Sequence, residues 1–343
     1  LLSHSFVLTI NYFVKMNMLK YNNLFEAVKD IDIIAVKEYL NMFKLQKIQN
    51  NNNKINSLLE DTFLCNNDYL YNYIWQDIYS YVNEDIDINF IYLYEDDDDE
   101  DEEEYEKTAL IWASENGHTD IVKMLIKAKA DVNIQVGYGE TALMNAVIYG
   151  MTNIVKILID ANANVNIQNN GGTTALMWAS SGMWANSGDQ TEIVEMLIDS
   201  KADVNLQDEH GDTALMNAIW NGHTDIVKML IDANADVNIQ TNHGPTALMN
   251  ASRKGHTNIV EMLIKNGSDV NLQNDCGMNA LIFATGHTDV MKLLIDANAD
   301  VNIQDILGST ALIRASEEGY TNDVDMLIDA DAELNIQNED GDT

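Results

Sequence analysis

The chain has 343 residues, enough for two ordinary domains or one long array, and its 46% apolar content can supply a core for either. Its formal net charge of −36 and its pI near 4.1 exclude the extended basic face that nucleic acids and anionic membranes require. We therefore expect neither of these as a partner, and we expect long-range electrostatics to favour a basic one.

Residues 1–20 form an N-terminal tail whose structure the sequence does not predict. The stretch is moderately apolar, but polar residues interrupt it, and it lacks a basic leader region and a small-residue cleavage site. We expect neither a signal peptide nor a membrane span. Residue 1 is Leu, whereas Met16 or Met18 would open a sensible reading frame. The first residues are therefore expected to be untranslated, or the chain to be a fragment.

The two cysteines, Cys65 and Cys276, lie far apart, with no CxxC motif and no cluster of cysteine and histidine around them. This spacing predicts neither a disulfide framework nor a zinc site. We expect an intracellular, cytoplasmic protein that uses no cofactor and no metal.

Residues 41–84 contain an Asn-rich stretch, "QNNNNKINS", that we expect to be a loop, and an aromatic run from Tyr69 to Tyr81 whose fold the sequence does not indicate. Residues 95–106 then hold eleven acidic residues in twelve positions. Because such a charge density repels itself, we expect a disordered, solvated loop there. The glycine turn and ligand spacing of an EF-hand are absent.

A short motif recurs from there to the end of the chain. Of the six steps between consecutive copies, four are 33 residues long, one is 39 and one is 31. The motif is Thr-Ala-Leu at Thr108, Thr141, Thr174, Thr213, Thr246 and Thr310, with Asn279-Ala280-Leu281 in the same frame. Seven units over residues 107–343 predict a repeat array.

Each unit predicts two short helices and a loop. The Thr of the motif, or Asn279, suits the N-cap of the first helix, and a glycine follows that helix. A second threonine, such as Thr119 or Thr224, is expected to cap the second helix. A unit has about eight large apolar positions, worth roughly 12 to 24 kcal/mol. Ordering each residue costs on the order of 1 to 2 kcal/mol, so a single unit cannot fold alone and the units must stack into a solenoid.

These residues resemble the ankyrin repeat, whose pattern runs roughly G-x-T-P-L-H-x-A, G-H, I-V-K-x-L-L and A-D-V-N. The resemblance covers about residues 107–343 and implies an all-α ankyrin-repeat solenoid, in helix-turn-helix units with hairpin loops. It departs in one respect, because the Pro and His that follow Thr in the family are Ala and Met here, as in Ala142 and Met144.

The resemblance continues weakly upstream, where residues 21–94 are similar to a degenerate N-terminal capping repeat with an insertion. Asp87-Ile88-Asn89 imitates Asp131-Val132-Asn133 in this reading. At the other end Thr343 would begin another helix, so we expect further C-terminal repeats to be missing.

The histidines in Gly-His-Thr, one in most repeats, are expected to be structural rather than metal ligands. They are His118, His223, His256 and His287. No Ser or Cys is placed with a His and an acid in a recognisable nucleophile pattern, and no glycine-rich phosphate loop follows a strand. We therefore expect no enzyme and no small-molecule substrate.

Resemblance to the ankyrin family implies protein binding through the hairpin tips and the end of the first helix. Residues there differ between repeats while the framework stays constant, and the fold does not dictate such positions. Exposed aromatic residues in repeats 2 to 4, followed by a local basic spot, are typical of a binding surface. The predicted protein-binding residues are Tyr138, Ile148, Tyr149, Met183, Trp184, His210, Trp220, Arg253 and Lys254.

Met183 and Trp184 belong to "SSGMWANSGDQT", residues 180–191, where the third repeat carries its six extra residues. Ala179 matches Ala113 and Ile193 matches Ile121, so the insertion lengthens the turn between the two helices without interrupting a core position. We expect a projecting loop beside the binding surface.

The sequence thus predicts a monomeric, non-catalytic scaffold that binds a protein partner. The alternative is an adaptor subunit whose missing C-terminal module recruits an effector such as a ubiquitin ligase. An enzyme formed by residues 41–94 and weak calcium buffering by residues 95–106 are further alternatives with little support.

Overall fold

The computed structural model describes Asn89, the backbone of residues 92–95 and 104–106, and residues 107–182 and 190–343. The predicted tail (1–20), most of the predicted capping repeat (21–94) and the middle of the acidic segment lie outside these described residues. Internal packing divides the chain into two units. The first comprises Leu1–Ala146 with Asp160–Ala163, and the second comprises Val147–Ile159 with Asn164–Thr343.

Two short antiparallel strands precede the helices, β1 (Tyr92–Glu95) and β2 (Glu104–Lys107). Their register places Tyr94 opposite Tyr105. We expect the acidic segment, residues 95–106, to be a disordered loop, but its two ends belong to paired strands. Glu95 lies in β1, and residues 104–106 lie in β2. Tyrosine has a high β propensity, and this preference favours strand pairing at the two ends despite the repulsion between the carboxylates.

Two helices form each of the seven repeats, the odd-numbered helix first, so that α7 and α8 belong to repeat 4. The helices are α1 (Ala109–Glu115), α2 (Thr119–Lys127), α3 (Ala142–Ile148), α4 (Thr152–Asp160), α5 (Ala175–Ser181), α6 (Thr191–Asp199), α7 (Ala214–Trp220), α8 (Thr224–Asp232), α9 (Ala247–Lys254), α10 (Thr257–Lys265), α11 (Ala280–Phe283), α12 (Thr288–Asp296), α13 (Ala311–Glu318) and α14 (Thr321–Asp329).

The predicted cap of the first helix is confirmed. The Thr213 side chain accepts a hydrogen bond from the Met216 amide at 3.4 Å, and Asn279 accepts one from the Ile282 amide at 3.0 Å. The prediction for the second helix is wrong. Thr224 is the first helical residue rather than the cap, and its hydroxyl lies 3.5 Å from the Gly222 carbonyl instead. A hydroxyl in that position can reach back to the turn but cannot meet the free amides of its own helix.

Residues that follow the helices adopt the left-handed conformation. Gly255 follows the first helix of repeat 5 with φ 70°, and Asn298 follows the second helix of repeat 6 with φ 63°. Between the helices, framework Leu and Ala residues are fully buried, for example Leu215 at 1% exposure and Leu230 at 0%.

The Asn and Gln of the recurring Asn-Ile/Leu-Gln loop sequence link consecutive repeats. Asn205 Oδ1 accepts a hydrogen bond from the Asp236 amide at 2.8 Å. Gln207 Nε2 donates to the Gly211 and Gln240 carbonyls at 2.8 and 3.0 Å. The asparagine contact recurs from Asn166, Asn238, Asn271 and Asn302 in the second unit, and from Asn89 to the Asp131 amide in the first. Asn89 thus makes the contact of a loop asparagine from an upstream repeat.

Candidate protein-binding surface

The last turn of each first helix presents residues that differ between repeats. In repeat 4, helix α7 buries Leu215 and Met216 and ends at Trp220, whose side chain is 45% exposed. In repeat 5, helix α9 ends at Arg253 and Lys254, and both are exposed. Because the framework residues recur at helical spacing on the buried face, these helix ends remain in contact with solvent.

Trp220, Arg253 and Lys254 lie together, and we call them the cationic cluster. The Lys254 Nζ is 3.8 Å from the centroid of the Trp220 ring, and the Arg253 Cζ is 4.7 Å from it. Both distances fall within the ~6 Å range of cation–π attraction, worth roughly 0.5–1 kcal/mol at an exposed site. The indole therefore gathers two positive groups on the surface of a chain whose formal net charge is −36.

The cationic cluster has no acidic partner in the part of the chain that is described, where no carboxylate lies within 4.0 Å of either cation. Two lysines on second helices do have such a partner, since Lys265 pairs with Glu261 at 2.6 Å and Lys292 with Asp296 at 2.9 Å. The guanidinium and ammonium donors of the cluster are thus available to a carboxylate from another molecule.

Repeat 6 is shortened beside the cationic cluster. One residue, Thr285, stands between its framework Ala and Gly, where repeat 5 has three, and helix α11 is only four residues long. The turn of repeat 6 still reaches repeat 5, because His287 Nε2 lies 3.2 Å from the Arg253 carbonyl oxygen. Repeat 6 therefore lacks the two positions that would place helix-end side chains opposite the cluster.

Asp323 in helix α14 accepts hydrogen bonds from the shortened turn of repeat 6. Its side chain is buried, with the residue 1% exposed, and its two carboxylate oxygens accept hydrogen bonds from the Gly286 amide at 2.7 Å and the Thr288 hydroxyl at 2.6 Å. Sequence reasoning missed this residue. The available signal was an Asp at a position where the six preceding repeats have Ile or Val.

The histidine beneath the cluster belongs to the framework. Burial lowers the pKa of His256 below its ordinary value of 6.5, and the neighbouring Lys254 ammonium lowers that pKa further. In the next repeat upstream, His223 Nε2 lies 3.2 Å from the Ser181 carbonyl oxygen. This contact of His223 with the preceding repeat is of the structural kind that the Gly-His-Thr pattern predicts. The positive charge of the surface therefore belongs to Arg253 and Lys254.

The remaining predicted site residues lie at several places. Tyr138 is at a hairpin tip of the first unit and is 65% exposed. Ile148 and Tyr149 belong to the second unit at the end of α3, where Ile148 is half-buried and Tyr149 is 41% exposed. His210 is exposed at the tip of its hairpin, and its carbonyl accepts a hydrogen bond from the Asn242 amide at 2.9 Å. Met183 and Trp184, the two predicted binding residues of the insertion, lie outside the described residues.

Two further properties of the described residues bear on function. No group of three or more His, Cys, Asp or Glu side chains in them could hold a metal ion. None of the helices described is both long enough and apolar enough to cross a membrane.

Comparison with known families agrees with this architecture. A family model for ankyrin repeats in three copies matches residues 130–183, 182–274 and 248–338, and a model for the single ankyrin repeat matches residues 105–136. A comparison with curated proteins finds no match. Ankyrin repeats are protein-interaction modules, and the fold is an all-α ankyrin-repeat solenoid. Because the matches extend over more than half of the chain, this protein belongs to the ankyrin repeat family.

Proposed function

We propose that this protein is a non-catalytic scaffold that captures a partner protein at the ends of its first helices and at its hairpin tips. The residues assigned to this role are Tyr138, Ile148, Tyr149, Met183, Trp184, His210, Trp220, Arg253 and Lys254. The cationic cluster is the observation that supports the proposal best. It combines a half-exposed indole with two cations that lack a carboxylate partner among the described residues.

The cluster is not required by the fold. Trp220 occupies a position that holds Glu115 in repeat 1 and Glu317 in repeat 7, whereas the framework Ala before it stays constant. Tryptophan and arginine are the residue types that most often dominate binding energy at protein interfaces. A surface that carries these residue types where other repeats have glutamate is therefore well suited to bind a partner.

The test is affinity purification from the native cell followed by mass spectrometry, with the wild-type chain and three variants. Trp220→Ala and Tyr149→Ala are expected to lose the main captured protein while melting as the wild type does. Lys228→Ala, on an exposed face of helix α8, serves as the control and should retain that protein. Unchanged capture by both aromatic variants would refute the proposal.

A further inference from the structure

We infer that the cationic cluster binds an acidic peptide segment of the partner, with carboxylates on Arg253 and Lys254 and an adjacent apolar side chain on the Trp220 indole. The inference rests on the proposed function and adds the chemistry of the partner. It concerns the second unit alone, to which all three residues belong.

Charge complementarity carries the inference. Arg253 and Lys254 are adjacent in sequence, and the Trp220 ring brings both to one place. A guanidinium presents a planar set of donors that matches the two oxygens of a carboxylate, and a neighbouring ammonium adds donors that are less restricted in direction. Since no carboxylate of the described residues lies within 4.0 Å of either cation, a partner's carboxylate would meet no internal competitor there.

The net charge of the whole chain favours a basic partner, but the contact at the cluster is local. At physiological ionic strength, charges more than about 8 Å apart are largely screened. The binding of an acidic segment in direct contact with Arg253 and Lys254 therefore depends more on those two cations than on the distant carboxylates of the chain. A nucleic acid or a membrane needs many cations along its length, which a single pair does not provide.

The shape of the surface also suits a peptide. The half-exposed Trp220 ring offers an apolar contact next to the charges. Repeat 6 lacks the helix-end positions that would otherwise stand beside Arg253, and its single residue there is the small Thr285. Space is thus left for a side chain of the partner to approach the guanidinium.

The test begins with a phage-displayed random dodecapeptide library selected on the full chain. The enriched peptides are synthesised with a fluorescent label, and their affinities are measured by anisotropy. The key variant is the double charge reversal Arg253→Glu with Lys254→Glu, and Arg253→Gln with Lys254→Gln is the milder form. The matched control is Lys156→Glu with Lys228→Glu, which makes the same change in net charge at equivalent exposed positions of α4 and α8.

Enriched peptides are expected to carry adjacent acidic residues beside an apolar one. Their affinity should fall at least about tenfold in the charge-reversal variant, the effect of losing a single hydrogen bond between charged groups. The control variant should bind as the wild type does. Replacing the acidic residues of the peptide by Lys should restore its binding to the reversed variant.

The outcomes separate this inference from the function on which it rests. Peptides that lose affinity with Trp220→Ala or Tyr149→Ala but tolerate the charge reversal would overturn the acidic segment and leave the scaffold standing. Peptides that tolerate all of these changes would overturn both.

Discussion

The carboxylate of Asp323, in the second helix of repeat 7, accepts a hydrogen bond of 2.6 Å from the hydroxyl of Thr288 in repeat 6. Its other oxygen accepts one of 2.7 Å from the Gly286 amide. The corresponding residue in the six preceding repeats is an apolar Ile or Val. A buried polar residue thus compensates for the two residues that repeat 6 lacks.

Asp323→Ala is expected to lower the free energy of unfolding by about 1–3 kcal/mol, because the Gly286 amide and the Thr288 hydroxyl would each lose a hydrogen bond to a buried carboxylate. Asp323→Asn retains one acceptor oxygen and should cost less. Urea unfolding measures the difference, and amide hydrogen exchange at Gly286 locates it. The exposed Asp325→Ala on the same helix is the control, and equal losses for the two alanine variants would contradict the role given to Asp323.

Lys254→Gln is expected to raise the pKa of His256. Burial lowers that pKa in the wild type and remains in the variant, whereas the repulsion from the Lys254 ammonium is removed. The pKa should therefore move towards 6.5 without reaching it. NMR titration of the His256 ring measures the change, with Lys228→Gln as a control that should leave the pKa where it is. An unchanged pKa in the Lys254 variant would contradict a position of the Lys254 ammonium close to the His256 ring.

Asp305→Asn is expected to destabilise the protein at neutral pH and progressively less in acid. Burial raises the pKa of Asp305, but hydrogen bonds from the Arg314 guanidinium and from the Ser309 and Leu307 amides outweigh it, so the folded pKa lies below 3.8. A carboxyl with a depressed folded pKa contributes stability above its unfolded pKa, and that contribution is lost as the pH falls through the folded pKa.

Urea unfolding of wild type and Asp305→Asn at about pH 7, 5 and 3 measures this dependence. The difference between the two proteins should be similar at the upper two values and should shrink at the lowest. Asp275→Asn, at an exposed position, is the control. A difference that stays constant down to about pH 3 would mean that the ionised form of Asp305 is not the one favoured by folding.

Deleting Gly182–Ser187 should keep the fold. Helix α5 ends at Ser181 and α6 begins at Thr191, so the change removes no part of either helix and restores the 33-residue step. Gly188 would then follow Ser181 and could adopt the left-handed conformation that Gly182 has at φ 61°. Through the entropy of loop closure, each halving of a loop's length changes the unfolding free energy by only about 0.6 kcal/mol.

Circular dichroism and thermal melting test the deletion, and a loss of helical signal would contradict it. A Gly-Ser replacement of the same length separates the loop's size from its Met and Trp side chains. We predict that both changes weaken partner capture. If capture survives both, the insertion is only tolerated.

The caps and left-handed positions were predictable because they depend on residues within one helical turn. Thr213 needs only the Met216 amide, and Asn298 needs only its own backbone angles. The role of Thr224 was mistaken because Thr is favourable both at the cap and in the first turn, and only the backbone path distinguishes the two. The chemistry of the surface was less accessible, since Trp220 and Arg253 are separated by a full repeat in sequence.

The sequence by itself determined that this chain is an array of helical pairs, since a motif repeated in phase places the same apolar residues on the same face in every unit. It also determined where variation is permitted, because the repeats serve as comparisons for one another. Only the tertiary structure decided that Lys254 and Arg253 lie over the Trp220 ring, and that Asp323 completes the turn of the repeat before its own. Contacts between repeats depend on how neighbouring units are superposed in space, and a distance of a few ångströms between residues 33 to 37 positions apart leaves no local signal in the sequence.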